Sequence, residues 1–169
     1  MSKEFNRVVE KEFALRMPTL GFVPDKAVGP IAWPGERCFR QGGSETVGWI
    51  CIFPDYKGLN EFNIEIAWSH HGAYPSTCIA RPSAGMNLPE CFAQRAEGFI
   101  RLANLCTPPR IAWGAGTLSS KLAKLTQEEA LTLATPLVAE AMEAVSQFGI
   151  PLLAAAVQSR PQFLARSAA

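Results

Sequence analysis

The sequence predicts one α+β domain, and three observations predict it. An amphipathic stripe fills the first twenty residues. Two alternating apolar runs follow between residues 46 and 68, separated only by turn chemistry. Helical periodicity returns beyond residue 89 and lasts to the end of the chain. Strands joined by short turns pair antiparallel, and strands followed by helices make an α+β architecture. The expected form is an antiparallel meander of about four strands, packed by an N-terminal helix and two or three C-terminal helices.

Each element has its own reason. Over Lys3 to Leu20, Phe5, Val9, Phe13 and Met17 recur at i, i+4 while Glu4, Arg7, Lys11 and Glu12 face away, so this is a helix. Pro18 kinks or ends its last turn, and Gly21 is a natural stop. Residues 23–35 hold Pro24, Pro30 and Pro34 and read as loop, with a short extended piece at Val28 to Trp33. Arg37 to Gln41 is a short strand before a Gly-Gly-Ser turn. Thr46 to Phe53 is apolar on both faces, which predicts a central strand covered on both sides. Phe62 to Trp68 alternates: Phe62, Ile64, Ile66 and Trp68 point one way, and Asn63, Glu65 and Ala67 the other. The polar second face predicts that part of the sheet stays wet. Thr77 to Arg81 is a fourth strand candidate.

The spacing of Cys91, Ala96, Phe99, Ile100 and Leu102 predicts a helix over Pro89 to Leu105, stopped by Pro108 and Pro109. Thr126 with Glu129 forms a capping box that opens a long helix, Gln127 to Phe148. Leu131, Leu133, Leu137, Val138, Ala141, Met142 and Val145 supply its buried side. Pro136 kinks it and Gly149 ends it. Ser159 and Pro161 then provide the cap and first-turn proline of a short terminal helix.

Composition narrows the function classes. Apolar residues are 48% and charged residues 18%, which excludes a disordered chain. A net charge of +1 argues against a nucleic-acid partner, because phosphate binding calls for clustered Lys and Arg. The charged N-terminus lacks a secretory h-region, and no stretch reaches the ~18 apolar residues of a membrane span. A cytoplasmic protein with no membrane association is expected. The five cysteines, Cys38, Cys51, Cys78, Cys91 and Cys106, form no C-x-x-C pair and read as reduced, mostly buried thiols.

His70 and His71 are the only histidines. Neighbours on an extended chain point to opposite sides, so together they do not ligate one metal, and no metal or other cofactor is expected. Their structural reading is polar residues at a strand end before Gly72 and Pro75. The catalytic alternative is a small hydrolase, or a ligand-binding enzyme, using His70, His71 and a nearby Cys or Glu. No G-x-S-x-G elbow, H-E-x-x-H helix or phosphate loop accompanies them; "WGAGT", Trp113 to Thr117, lacks the Lys such a loop needs. Glu61 and Glu65 share a strand face at ~13 Å along it, beyond the ~9.5 Å upper limit of an inverting glycosidase pair. A third reading is a small-molecule binder with Trp68 and Tyr74 lining a pocket.

Charge placement favours a binding surface. Residues 41–80 carry Glu45, Asp55, Glu61 and Glu65 against Lys57 alone. A sheet face with Asn63 and Glu65, edged by Asp55, Tyr56 and Glu61, suits a basic protein partner, and His70 and His71 lie at the end of the same strand. The stretches "EFNRVVEKEFALRMPTLGFVPD", "FNIEIAWS" and "AVSQFGIPLLAAA" together resemble a family of uncharacterised bacterial α+β domains. Some related domains neutralise toxins. The resemblance therefore implies a non-enzymatic immunity protein whose partner is a toxin.

Overall fold

The computed structural model describes residues 3–26, 37–43, 45–55, 59–75 and 95–167. Tyr56, Lys57, the extended piece at Val28 to Trp33, the strand candidate Thr77 to Arg81, and Cys78 and Cys91 lie outside the described residues.

The N-terminal stripe forms α1 (Lys3–Arg16), which buries Phe5, Val8, Val9 and Phe13. A 3₁₀ turn over Met17–Leu20 closes it. Gly21 takes φ 79°, and the amides of Gly21 and Phe22 donate to the carbonyls of Pro18 and Met17. That left-handed step is open to glycine at little cost, so the predicted stop falls where the sequence puts it.

Among the described residues five strands follow in meander order, every neighbour antiparallel: β1 (Val23–Pro24), β2 (Arg37–Gly42), β3 (Val47–Pro54), β4 (Glu61–Ser69) and β5 (Glu97–Arg101). A two-residue β6 (Trp113–Gly114) pairs with the start of β4, on the edge that β5 leaves bare. The β2–β3 turn needs Gly42: φ is 109°, and a Cβ there would sit 2.3 Å from the Thr46 carbonyl oxygen.

β5 corrects the helix predicted over Pro89 to Leu105. Period-two burial wins there: Gly98 and Ile100 turn inward, Phe99 is half-buried and Arg101 is exposed. The outer edge of β4 offers a ladder of backbone partners from Glu65 to Ser69, and Gly98 is a poor helix former.

The helices lie on one face of the sheet. Phe39, Ile50, Ile52, Phe62, Ile64, Ile66, Trp68 and Ile100 meet α1 and the C-terminal helix in one core. Phe62 is its knot. It touches Phe13 edge-on at 5.6 Å, stacks on Trp113 at 6.0 Å and tilts against Phe5 at 6.5 Å.

Beyond α2 (Leu118–Leu122), the capping box forms as predicted: Glu129 N–H donates to Thr126 Oγ1 at 3.3 Å, and Thr126 N–H to Glu129 Oε2 at 2.8 Å. It opens α3 (Gln127–Ala144). The buried stripe of α3 is smaller than expected. Ala130, Ala134, Val138 and Ala141 face α1, Leu133, Leu137 and Met142 are only partly buried, and Leu131 is exposed. The phenylalanines of α1 and the sheet already fill the space, so α3 contributes small residues at the contact.

Gly149 does not end the helix. A π turn over Val145–Gly149 carries it into α4 (Ile150–Ser167). In it the Ile150 N–H donates to the Val145 carbonyl, and the helix continues through Pro151, which has no N–H to donate. Glycine at 149 lets the backbone approach β4, where a Cβ would stand 3.0 Å from Ile66 Cδ1. Ser159 is correspondingly no cap; it is buried within the helix and donates to the Ala156 carbonyl. The joined helix is long and apolar enough by length and composition to cross a membrane, against the expectation of no such stretch. Its apolar side is the core layer over the sheet.

The second sheet face corrects two further expectations. Cys38 and Cys51 stand opposite each other in the β2–β3 register and are joined as a disulfide, not reduced; Cys106 is buried in the helix-side core, its thiol donating to the Leu102 carbonyl. They belong to a second apolar cluster with Val47, Trp49 and Ala67, against which Phe53, Tyr74 and Phe99 pack. The face predicted to stay wet is thus largely apolar, and its polar members are half-buried.

Candidate functional site

The predicted site residues fall at two ends of β4. At its start, Asp55 and Glu61 close the β3–β4 connection: Asp55 N–H donates to the Glu61 carbonyl at 3.0 Å, and Leu59 N–H donates to Asp55 Oδ2 at 3.1 Å. Between them Asn60 is fully buried. Its Nδ2 donates to the carbonyls of Ser120 and Ala123, and its backbone N–H to that of Lys121, so it clamps α2 against the sheet. Glu61 accepts from Lys121 Nζ at 2.5 Å.

Asn63 and Glu65 follow on the second face. Glu65 lies 3.8 Å from Arg101 across the β4–β5 pair; its side chain is 16% exposed and that of Arg101 is 61% exposed. Glu61, Asn63 and Glu65 therefore share one side of the sheet, as the alternation predicts, and Asp55 lies just past the end of β3 beside Glu61. They do not form an open acidic field, because Lys121 and Arg101 balance Glu61 and Glu65. Tyr56 lies outside the described residues.

His70 and His71 sit at the far end of β4, five and six residues beyond Glu65, and the structure divides them. His70 is buried, with Nδ1 3.1 Å from Thr46 Oγ1 and its N–H donating to the Ala96 carbonyl. Burial lowers its pKa, and the nearby charges of Arg160 and His71 lower it further, so the ring is neutral at pH 7. His71 is exposed, and its backbone N–H donates to Ser69 Oγ at 3.0 Å. One imidazole holds the sheet end and the other faces solvent. Among the described residues, no group of three or more His, Cys, Asp or Glu is placed to hold a metal ion.

The predicted pocket pair is divided as well. Trp68 belongs to the helix-side core, whereas Tyr74 packs edge-on against Trp49 at 5.5 Å on the second face. Trp49 Nε1–H in turn donates to the buried Asp25 carboxylate at 3.0 Å. Trp68 does line a cleft, of about 290 Å³, between the β2–β3 turn and α4. Sequence reasoning missed its other walls, Leu153 and Val157, because it ended the preceding helix at Gly149. The available signal was the glycine pair Gly42 and Gly48, which leaves that corner of the sheet without side chains.

Comparison with protein-family models, curated proteins and solved structures finds no match.

Proposed function

We propose that this chain acts by binding a protein partner rather than by catalysis, through the side of the sheet that carries Glu61, Asn63 and Glu65, with Asp55 beside it. The observation that carries the reading is how the candidate polar groups are used. Asp55 closes a turn, Glu61 holds Lys121, Glu65 stands against Arg101 and His70 against Thr46. A catalytic set needs an acid, a base and a charge stabiliser converging on one cleft. These groups are spread along β4 and tie neighbouring elements together.

Charge supports the choice of surface. Residues 41–80 hold four acidic residues and one basic one, while the chain as a whole is at +1. The Glu65–Arg101 pair is loose and exposed on its cationic side, the kind worth ~0–1 kcal/mol. A lysine or arginine from a basic partner replaces Arg101 there at little cost. Neutralisation of a toxin, the role implied by the resemblance, is one form of this activity when the toxin is basic.

Asp55→Asn with Glu65→Gln tests it, since the pair removes two charges and keeps the hydrogen-bonding shapes. Immobilised wild type captures a basic protein from native cell extract, and the double variant captures at least about tenfold less. Equal capture by both, with both folded, contradicts the proposal.

A further inference from the structure

The cleft over Trp68 has a chemistry of its own, independent of the acidic sheet end. Its volume of about 290 Å³ lies just below the ~300–1,000 Å³ range of drug-sized ligand pockets, which suits a smaller ligand. Trp68 and the α4 side chains Ile150, Leu153 and Val157 make it apolar, and among the described residues only Gln41 and Thr46 bring polar side chains to it. The cleft exists because the sheet is bare here. Gly48 lets Leu153 approach so closely that a Cβ would stand 3.0 Å from its Cδ2. Val157 is 54% exposed and leaves the mouth open to solvent.

One turn beyond Val157, α4 presents Arg160. Neither Arg160 nor its partner Glu45, 3.4 Å away, lines the cleft itself, but each neighbours a lining residue: Glu45 precedes Thr46, and Arg160 follows Val157 by three. The side chain of Glu45 is 75% exposed, so the tie is weak, whereas that of Arg160 is only 25% exposed. The Arg160 Nε atom is buried and has no hydrogen-bond acceptor among the described residues. A buried guanidinium donor without an acceptor, held by a displaceable carboxylate, is suited to a better-placed carboxylate.

We propose that this cleft binds a small organic acid, its apolar body against Trp68 and Leu153 and its carboxylate on Arg160 in place of Glu45. The volume limits the body to about one aromatic ring with a short linker, or a short acyl chain.

The test uses 4-phenylbutyrate, its neutral counterpart 4-phenylbutanol, and acetate, each titrated calorimetrically into the folded full chain. The acid binds with a Kd of about 1 mM or tighter, the alcohol about tenfold more weakly, and acetate not measurably. Arg160→Gln weakens the acid about tenfold and leaves the alcohol unchanged. Ala154→Trp, which fills the cleft, abolishes binding of both. Should that variant not fold, Val157→Glu at the exposed mouth serves instead and weakens the acid more than the alcohol. Absence of saturable binding by wild type overturns the proposal. So do equal affinities for acid and alcohol, full acid affinity in Arg160→Gln, or unchanged binding in the cleft-filling variant.

Discussion

Replacing Phe62 by alanine is the sharpest perturbation of this fold. The ring is fully buried where α1, β4 and β6 meet, in contact with Phe5, Phe13 and Trp113. Truncating a buried phenylalanine costs ~3–5 kcal/mol, comprising lost transfer energy and the cavity that remains. Aromatic pairs add ~0.5–1.5 kcal/mol each beyond area burial, which puts this site in the upper half of that range, about 4–5 kcal/mol. Relaxation is restricted because three separate elements line the cavity. For a chain of this size each kcal/mol shifts Tm by ~2–4 °C, so a fall of about 8–20 °C is expected. Equilibrium urea unfolding followed by tryptophan fluorescence and by far-UV circular dichroism measures the loss, with Phe62→Leu as a milder control at about 1–2 kcal/mol. A loss below about 1.5 kcal/mol for Phe62→Ala contradicts the placement of Phe62 at the centre of the core.

The remaining expectations are smaller. Thr126→Ala removes the cap of α3 and lowers stability by about 1 kcal/mol in the same urea assay. Alkylation of the unreduced, denatured chain leaves Cys38 and Cys51 unlabelled, and labelling of both after reduction locates the disulfide by mass. Replacing both by serine lowers stability by up to about 3 kcal/mol through the 13-residue closure. The folded-state pKa of His70 lies below the ordinary value of 6.5, so its contribution is fully present above pH 6.5 and is lost as the pH falls through the folded pKa. The urea midpoint therefore drops on acidification from pH 7, and His70→Gln shows a shallower drop over that window.

The legible parts of this sequence are those governed by local periodicity and capping. The i, i+4 stripe of α1, the alternation of β4 and the Thr126 box each specify their element without reference to the rest of the chain. What escaped depends on distant partners. Residues 97–101 become a strand because β4 has an edge to fill, although their neighbours suit a helical stripe. The helix runs through Gly149 and Pro151 because a π turn and packing on Ile66 outweigh two local stop signals. Cys38 and Cys51 meet only once the β2–β3 register is fixed, and a spacing of thirteen residues does not announce that.

At the candidate site, alternation correctly put Asn63 and Glu65 on one face. It did not reveal the cations that balance Glu61 and Glu65, because Lys121 and Arg101 arrive from elements far along the chain. The cleft was hidden for the same reason: one wall is sheet and the other is a helix more than eighty residues later.

Amide hydrogen exchange on the captured complex reads most directly where, and whether, the chain grips a partner. Slower exchange confined to Asp55, residues 59–65 and Arg101, relative to the free chain, is the predicted footprint. Protection that falls instead around Thr46, Trp68 and Val157, or a chain that turns over a substrate and forms no complex, contradicts the account.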